Sequence, residues 1–258
     1  AAAAPRTQAS APPPDPADPG PAAAPLRAIL APEEVPGARS DADARFAAAL
    51  AEAAPDRPLA DPPPQSAGAA SLPDGRLAAN ALVYPWVRPD CDRLERLPPD
   101  LAARCTRYDF SAPLATARIA WFARADAPVL AAQRPADLRG LTLCRPSGMF
   151  DGDLAAAGLA PPRAARLAPA TARDCLDAVA SGQADVASLE ARDARRARTR
   201  PPPLPDVTEL PALASGVTLH AAAWRGSPAA GAALAVLDAG LAALRERQAP
   251  AEQQDGDR

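Results

Sequence analysis

Arg104 is the residue whose type and position point most directly to ligand chemistry. It stands five residues before Asp109, in the segment RCTRYDFSAPL that occupies residues 104–114. A guanidinium is planar and permanently charged, so it can bind both oxygens of one carboxylate. The end of this segment has residue types typical of a turn. Residues 119–122 follow as an apolar run that is typical of a buried strand. The pattern predicts an arginine placed shortly before a buried strand.

The composition excludes several kinds of chemistry. All 28 basic residues are arginine, because the chain contains no lysine, and this excludes Schiff-base catalysis and a P-loop phosphate site. His220 is the one histidine and lies in a predicted strand, where we expect a structural role. With one histidine, placed in a predicted strand, and no C-x-x-C motif, the sequence supports neither a catalytic triad nor a zinc site, so we expect no metal and no cofactor. The net charge of -3 gives no bias toward nucleic acid, and we expect the arginine-rich residues 192–200 to form a solvated helix face.

Four cysteines without a C-x-x-C motif favour disulfides formed in an oxidising compartment. Cysteine count alone leaves three connectivities open. The chain opens with four alanines and a proline, as though an export signal that ends in small residues had been removed. No run approaches the roughly 18 apolar residues of a membrane span. We therefore expect an exported protein.

Hydrophobic periodicity predicts alternating strands and helices. We expect residues 1–24 to be a disordered spacer, because they lack apolar periodicity, and the tail after Gln248 to be frayed. The predicted strands are residues 26–31, 79–86 and 216–224, and the predicted helices are residues 41–53, with an Asp or Ser N-cap, 170–182 and 229–247.

Residues 104–114 resemble the E-R-x-x-x-v-D-F-S-x-P-Y segment of the periplasmic solute-binding proteins of ABC importers, family 3, the polar amino-acid type. Residues 134–149 resemble the dLkGkkvgv..GT element of that family, and residues 183–190 resemble its L..G..Da.i.d signature. The resemblance implies an α/β fold of the two-lobed, type II periplasmic binding protein class. Each lobe would have a central sheet flanked by helices, and two strands would form the hinge.

The resemblance also implies a ligand site in the cleft between the lobes. Arg104 matches the arginine that binds the ligand carboxylate, and Glu190 matches the acid that meets its amine. Ser147 and Gly148 match the loop that offers backbone N–H groups, and Met149 stands where the family commonly has threonine. The first loop, residues 33–36, lacks the family's aromatic residue, and Tyr84 and Trp86 are the candidates to replace it. The alternatives are an ordinary ion pair for Arg104, a solvated charge for Glu190 and core packing for both aromatic residues.

The lobe boundaries follow from the same resemblance. Residues 25–114 and 216–248 would form lobe one, residues 115–215 lobe two, and residues 249–258 a disordered tail. Each local set of cysteines would then fall within one lobe, so we pair Cys91 with Cys105 and Cys144 with Cys175.

The function implied is that of a monomeric periplasmic substrate-binding component of an ABC transporter, which captures an amino acid or related carboxylate and delivers it to an inner-membrane permease. Two other classes remain open. One is a binding protein outside transport, either a sensor or an accessory subunit of a periplasmic dehydrogenase. The other is a cyclohexadienyl dehydratase-like enzyme on the same fold, which would need a general acid near Arg104.

Overall fold

The computed structural model describes residues 26–31, 34–35, 37–56, 59–60, 81–201 and 207–255. Ten strands lie in these ranges: β1 Leu26–Leu30, β2 Leu59–Ala60, β3 Leu82–Val87, β4 Tyr108–Phe110, β5 Ala115–Arg124, β6 Thr142–Cys144, β7 Ala165–Leu167, β8 Val186–Glu190, β9 Val207–Glu209 and β10 Ser215–Trp224. The helices are α1 Arg39–Ala53, α2 Pro99–Arg107, α3 Gly152–Ala156, α4 Ala172–Ala180, α5 Ala191–Thr199 and α6 Pro228–Asp255, and short 3-10 helices include Cys91–Arg96.

The strands form one mixed sheet in the order β2-β1-β3-β10-β5-β8-β6-β7, and β4 and β9 pair with β10 and β5. Two long antiparallel strands, β5 and β10, connect its two halves. They pair with each other from Ser215 opposite Ile119 to Leu219 opposite Ala115. Beyond that stretch β10 pairs with β3 and β4, and β5 pairs with β8 and β9. We call the β1–β3–β10 side the first half and the β5–β8–β6 side the second half.

The first half is covered by α1 and α6, which pack against each other and against the sheet. Small residues allow this close approach. A Cβ added at Gly240 of α6 would lie 1.9 Å from the carbonyl oxygen of Ala49 in α1, so only glycine fits there. The segment Pro228–Gln248 of α6 is long and apolar enough to cross a membrane by composition. Its buried face, however, includes Leu237, which belongs to the core of the first half, as expected of a core helix.

The second half has apolar clusters on both faces of its sheet. One contains residues from α4 and α5, and the other contains Trp121, Leu138 and Leu154. Alanine supplies much of the first cluster, so its helices lie close to the strands. The predicted disulfides are confirmed: Cys91 pairs with Cys105 and Cys144 pairs with Cys175. The first ties a 3-10 helix to α2, and the second ties β6 to α4.

Most predicted elements occur at the expected places, with shifts at their ends. The prediction of an Asp or Ser N-cap for α1 is wrong: the helix begins earlier, after Ala38, and this residue has no side-chain cap. Ser40 and Asp41 consequently lie inside the first turn. At the other end of the chain, α6 continues to Asp255, past the predicted end at residue 247. The spacer predicted for residues 1–24 lies outside the described residues.

Candidate functional site

The side chain of Arg104 binds a carboxylate of its own chain. Its two terminal nitrogens donate to the two oxygens of Glu34, Nη1 to Oε2 at 2.9 Å and Nη2 to Oε1 at 2.7 Å. The backbone N–H of Val87 donates to the same Oε2 at 3.0 Å. Three charge-assisted hydrogen bonds therefore hold this carboxylate, in the bidentate geometry that arginine provides.

Local structure fixes each donor of this site. Arg104 lies in the last turn of α2, and the disulfide between Cys91 and Cys105 anchors the next residue. The Arg104 guanidinium carbon lies 3.9 Å from the centre of the Trp86 ring, a cation–π contact, and its Nη1 also donates to the Val87 carbonyl at 3.0 Å. Val87 is the last residue of β3. The Arg104 fork is thus held in place by groups other than the carboxylate that it binds.

Glu34 comes from the loop between β1 and α1, and this loop also contacts the second half. The backbone carbonyl of Glu34 accepts a hydrogen bond from the N–H of Phe150, in the second half, at 2.7 Å. The side chains of Arg104 and Glu34 are each 13% exposed, so the pair is mostly but not fully removed from solvent. The carboxylate therefore lies where segments from both halves of the molecule meet.

Trp86 and Tyr84 lie on opposite sides of β3. The register between β3 and β10 shifts between the pairs His220–Trp86 and Ala222–Val83, so β3 contains one extra residue there. Such a bulge reverses which face the following side chain occupies. Tyr84 stacks on Phe46 of α1 with ring centres 3.8 Å apart, whereas Trp86 meets Tyr108 edge-on at 5.0 Å. Of the two aromatic candidates, Trp86 is the one in contact with Arg104.

Backbone N–H groups of the loop after β6 donate hydrogen bonds to carbonyls of the protein itself. The N–H of Ser147 donates to the Pro169 carbonyl at 2.7 Å, and the N–H of Met149 donates to the Pro146 carbonyl at 3.3 Å. Gly148 adopts a positive φ of 80°, which glycine tolerates without strain. The Met149 side chain is buried in the apolar cluster of the first half. Where the family commonly has a small hydroxyl residue, this chain therefore places an apolar side chain between the halves.

Glu190 ends β8 and caps α5. Its Oε2 accepts from the backbone N–H groups of Arg192 and Asp193, at 2.8 and 2.9 Å, and the residue is 3% exposed. A Cβ added at Gly37 of the first loop would lie 2.9 Å from that same oxygen. Glu190 therefore lies against the first half, while its carboxylate accepts two hydrogen bonds from the first turn of its own helix.

Further contacts close the two halves on each other. Arg192 of α5 pairs with Asp41 of α1, and the Arg192 guanidinium holds the pKa of Asp41 below its usual value. Leu101 of α2 lies beside Gly152 of α3, where an added Cβ would be 2.8 Å from the leucine. Together with the Phe150–Glu34 bond, these contacts describe a closed arrangement of the halves.

Glu34 and Arg145 were not predicted as site residues. Arg145, the residue after β6, is fully buried and donates to Asp153 Oδ2 at 2.8 Å, to Ser188 Oγ at 2.6 Å and to the Phe150 carbonyl at 2.7 Å. A charged residue directly after an apolar strand was the available signal for Arg145. For Glu34 the signal was an acid in the loop where the resemblance calls for an aromatic residue.

His220 is buried in β10, and both ring nitrogens have partners, Ser111 O at 2.7 Å and Thr218 Oγ1 at 2.8 Å. Burial lowers the pKa of His220. The structural role predicted for it agrees with these contacts. Among the residues that the structure describes, no group of three or more His, Cys, Asp or Glu side chains could hold a metal ion.

No family model and no curated protein matches the chain. Solved structures do match it. The amino acid ABC transporter substrate-binding protein AbpA from Streptococcus pneumoniae, bound to L-arginine, is 18% identical over 86% of this chain and 90% of its own, with a TM-score of 0.53. The arginine-, lysine-, histidine-binding protein ArtJ from Geobacillus stearothermophilus is 14% identical over 87% and 90%, with a TM-score of 0.53.

A histidine kinase sensor domain with similarity to periplasmic binding proteins also matches. It is 20% identical over 87% of this chain and 91% of its own, with a TM-score of 0.55. At such identities the comparison establishes the fold. The chain therefore has the two-lobed, type II fold of the periplasmic binding proteins, which its sequence resemblance implies.

Proposed function

We propose that this protein is a periplasmic substrate-binding component of an ABC importer and captures a small carboxylate-bearing ligand, such as an amino acid, between its lobes. One observation carries this proposal. The Arg104 fork and the Val87 N–H converge on one carboxylate at the place where the halves meet. A donor set fixed by a disulfide and an aromatic ring is preorganised, and preorganisation lowers the cost of binding.

In this proposal residues 25–114 and 216–248 form lobe one and residues 115–215 form lobe two. Arg104 binds the ligand carboxylate from lobe one, and Glu190 meets a ligand amine from lobe two. Ligand contacts on both lobes stabilise the closed state, so binding shifts the equilibrium of the hinge strands β5 and β10. A monomer that closes in this way would deliver its ligand to an inner-membrane permease.

A sensor role is the second candidate, and one observation favours it. One solved structure that matches the chain is a sensor domain of a histidine kinase. The two roles share the binding step and differ in the partner. Co-purification of the chain with a membrane permease would favour transport, and co-purification with a kinase or a periplasmic dehydrogenase would favour sensing or an accessory role.

The test is calorimetry of the full chain with ligand pairs that differ in one charged group. L-Arginine against agmatine removes only the carboxylate, and L-glutamate against glutarate removes only the amine. In the first pair only L-arginine is expected to bind, and in the second pair L-glutamate is expected to bind more tightly than glutarate, because it alone has an amine for Glu190. Failure of every amino acid and organic acid to bind would overturn the proposal.

Substitutions at Arg104 and Glu190 test whether a bound ligand occupies the proposed site. Arg104→Ala is expected to lower the affinity for a carboxylate ligand about thirty-fold or more, since truncating one partner of a buried charge pair costs about 2–5 kcal/mol. Arg107→Ala is the matched control, because Arg107 lies in the same helical turn but is exposed. Glu190→Gln is expected to weaken ligands that have an amine and to spare those without one. Equal affinities in wild type and Arg104→Ala would place the site elsewhere.

A further inference from the structure

We infer that Glu34 is a built-in carboxylate that occupies the Arg104 site when no ligand is present, so that an external carboxylate must displace it. This inference rests on the proposed function, since it describes regulation of the same site. It assigns to the loop between β1 and α1 the role of a competitor for the ligand.

The bonding of Glu34 is that of a bound ligand. Its two oxygens accept both arms of the Arg104 guanidinium and one backbone N–H, at 2.7 to 3.0 Å. None of these three donors depends on Glu34 for its position. Arg104 is held by the Trp86 ring, the Val87 carbonyl and the neighbouring disulfide, and the Val87 N–H by its strand. Any carboxylate of similar size can satisfy the same three donors.

The location of the pair allows exchange. The side chains of Arg104 and Glu34 are each 13% exposed, whereas in another bidentate pair, Arg145 with Asp153, the arginine is 1% exposed and the aspartate 23% exposed. Glu34 also lies 70 residues from Arg104 in sequence, and its side chain comes from a loop and not from a helix or strand. When the Glu34 side chain leaves Arg104, α2 and β3 therefore keep their other bonds.

Glu34 also accounts for the closed arrangement of the halves. The same residue satisfies Arg104 through its side chain and bonds Phe150 of the second half through its carbonyl. A closed cleft without any carboxylate would leave a largely desolvated guanidinium unpaired, which is costly. Since the chain supplies its own carboxylate, the halves can close without a ligand, and an external ligand gains only the difference between its own binding and that of Glu34.

The test uses acetate, which reproduces the glutamate head group. Three full-chain variants are compared: Glu34→Ala, Glu34→Ala combined with Arg104→Ala, and Asp109→Ala. The last is a matched control, because Asp109 forms an exposed pair with Arg225. The melting temperature and the calorimetric heat are measured in sodium acetate and in sodium chloride at equal ionic strength. Glu34→Gln is measured in parallel, because its amide keeps the volume of the side chain if the alanine variant does not fold.

Acetate is expected to raise the melting temperature of Glu34→Ala. Its binding should be saturable, with a dissociation constant on the order of millimolar, because acetate has only four non-hydrogen atoms. Wild type, the double variant and Asp109→Ala should respond no more to acetate than to chloride. Glu34→Gln should bind acetate more weakly than Glu34→Ala but more tightly than wild type. Absence of an acetate response in both Glu34 variants would overturn the inference.

A second readout separates this inference from the proposed function. For any carboxylate that wild type binds, Glu34→Ala should bind at least about tenfold more tightly, because the competitor is gone. Unchanged affinity would overturn the inference and leave the proposed function standing. Acetate binding by Glu34→Ala combined with no ligand for wild type would support the inference and count against the proposed function.

Discussion

The two halves of the molecule each contain a bidentate arginine–carboxylate pair next to a disulfide cysteine. Arg104 precedes Cys105 in the first half, and Arg145 follows Cys144 in the second. Arg145 is fully buried, and its main partner, Asp153, is eight residues away. Arg104 is partly exposed, and its partner Glu34 is 70 residues away on a loop at the boundary of the halves.

The difference shows that the same chemical pair can have two purposes. Arg145 connects β6, the loop before α3 and Ser188 of β8, so it organises the interior of the second half. Arg104 instead holds the carboxylate of a loop at the boundary, and there we propose that one carboxylate replaces another. Burial and the origin of the partner, and not the pair itself, therefore distinguish Arg145 from Arg104, the arginine that we propose binds the ligand.

The largest effect is expected at Arg145. Arg145→Leu should lower the free energy of unfolding by about 3–5 kcal/mol, because fully buried Ser188 loses its charged partner and Asp153, which is 23% exposed, loses both of its bonds to Arg145. Urea unfolding measures this change. The control is Arg134→Leu, whose pair with Asp137 is exposed and should contribute less than about 1 kcal/mol. Equal losses in the two variants would show that Arg145 is not a structural centre.

The next largest effect is expected at the disulfides, of which each half contains one. In the chain-entropy model, closing the 31-residue separation of Cys144 and Cys175 stabilises the fold by about 4 kcal/mol. The 14-residue separation of Cys91 and Cys105 gives about 3 kcal/mol. Replacement of each pair by alanine should therefore cost more in the second half, where both cysteines are also fully buried. A larger loss for the first-half pair by urea unfolding would contradict this ranking.

A smaller effect is expected at the boundary itself. Gly37 and Gly148 both have positive φ, 85° and 80°, so alanine at either position costs about 1 kcal/mol of backbone strain. Only at Gly37 would the new Cβ meet Glu190, at 2.9 Å, while the described residues leave the space at Gly148 open. Gly37→Ala should therefore be the more destabilising substitution and should also loosen closure, as small-angle scattering would show. Equal effects of the two substitutions would argue against a tight contact between the halves.

The smallest effect concerns His220 of the first half. Burial lowers its pKa below the ordinary value of about 6.5, while Arg88 opposes and Asp238 favours its charging. As pH falls through about 6.5, the unfolded chain takes up a proton before the folded one, so stability decreases until folded His220 also titrates. His220→Gln should flatten the stability profile just below about pH 6.5, and an unchanged slope would contradict the assignment.

Sequence patterns predicted strands β1, β3, β5 and β10, helices α1, α4 and α6, and an arginine shortly before a buried strand, because these depend on local periodicity and on a contiguous motif. The partner of Arg104 could not be predicted in this way. Glu34 is 70 residues away, and only the folded sheet brings the end of β1 beside the end of β3. Trp86 and Tyr84 show the same limit, since strand alternation places both on one face until a bulge, visible only in the pairing register, separates them.

The measurement that tests the account most directly is a double-mutant cycle of Glu34→Ala and Arg104→Ala, followed by urea unfolding in a buffer without carboxylates. The expected coupling is about 2–3 kcal/mol, in the range of hydrogen bonds to charged groups, and it should shrink when acetate is added. The same cycle on the exposed pair Asp109 and Arg225 should give less than about 1 kcal/mol, with or without acetate. A Glu34–Arg104 coupling no larger than that of the exposed pair would contradict the account, because Arg104 would then not hold the carboxylate of Glu34.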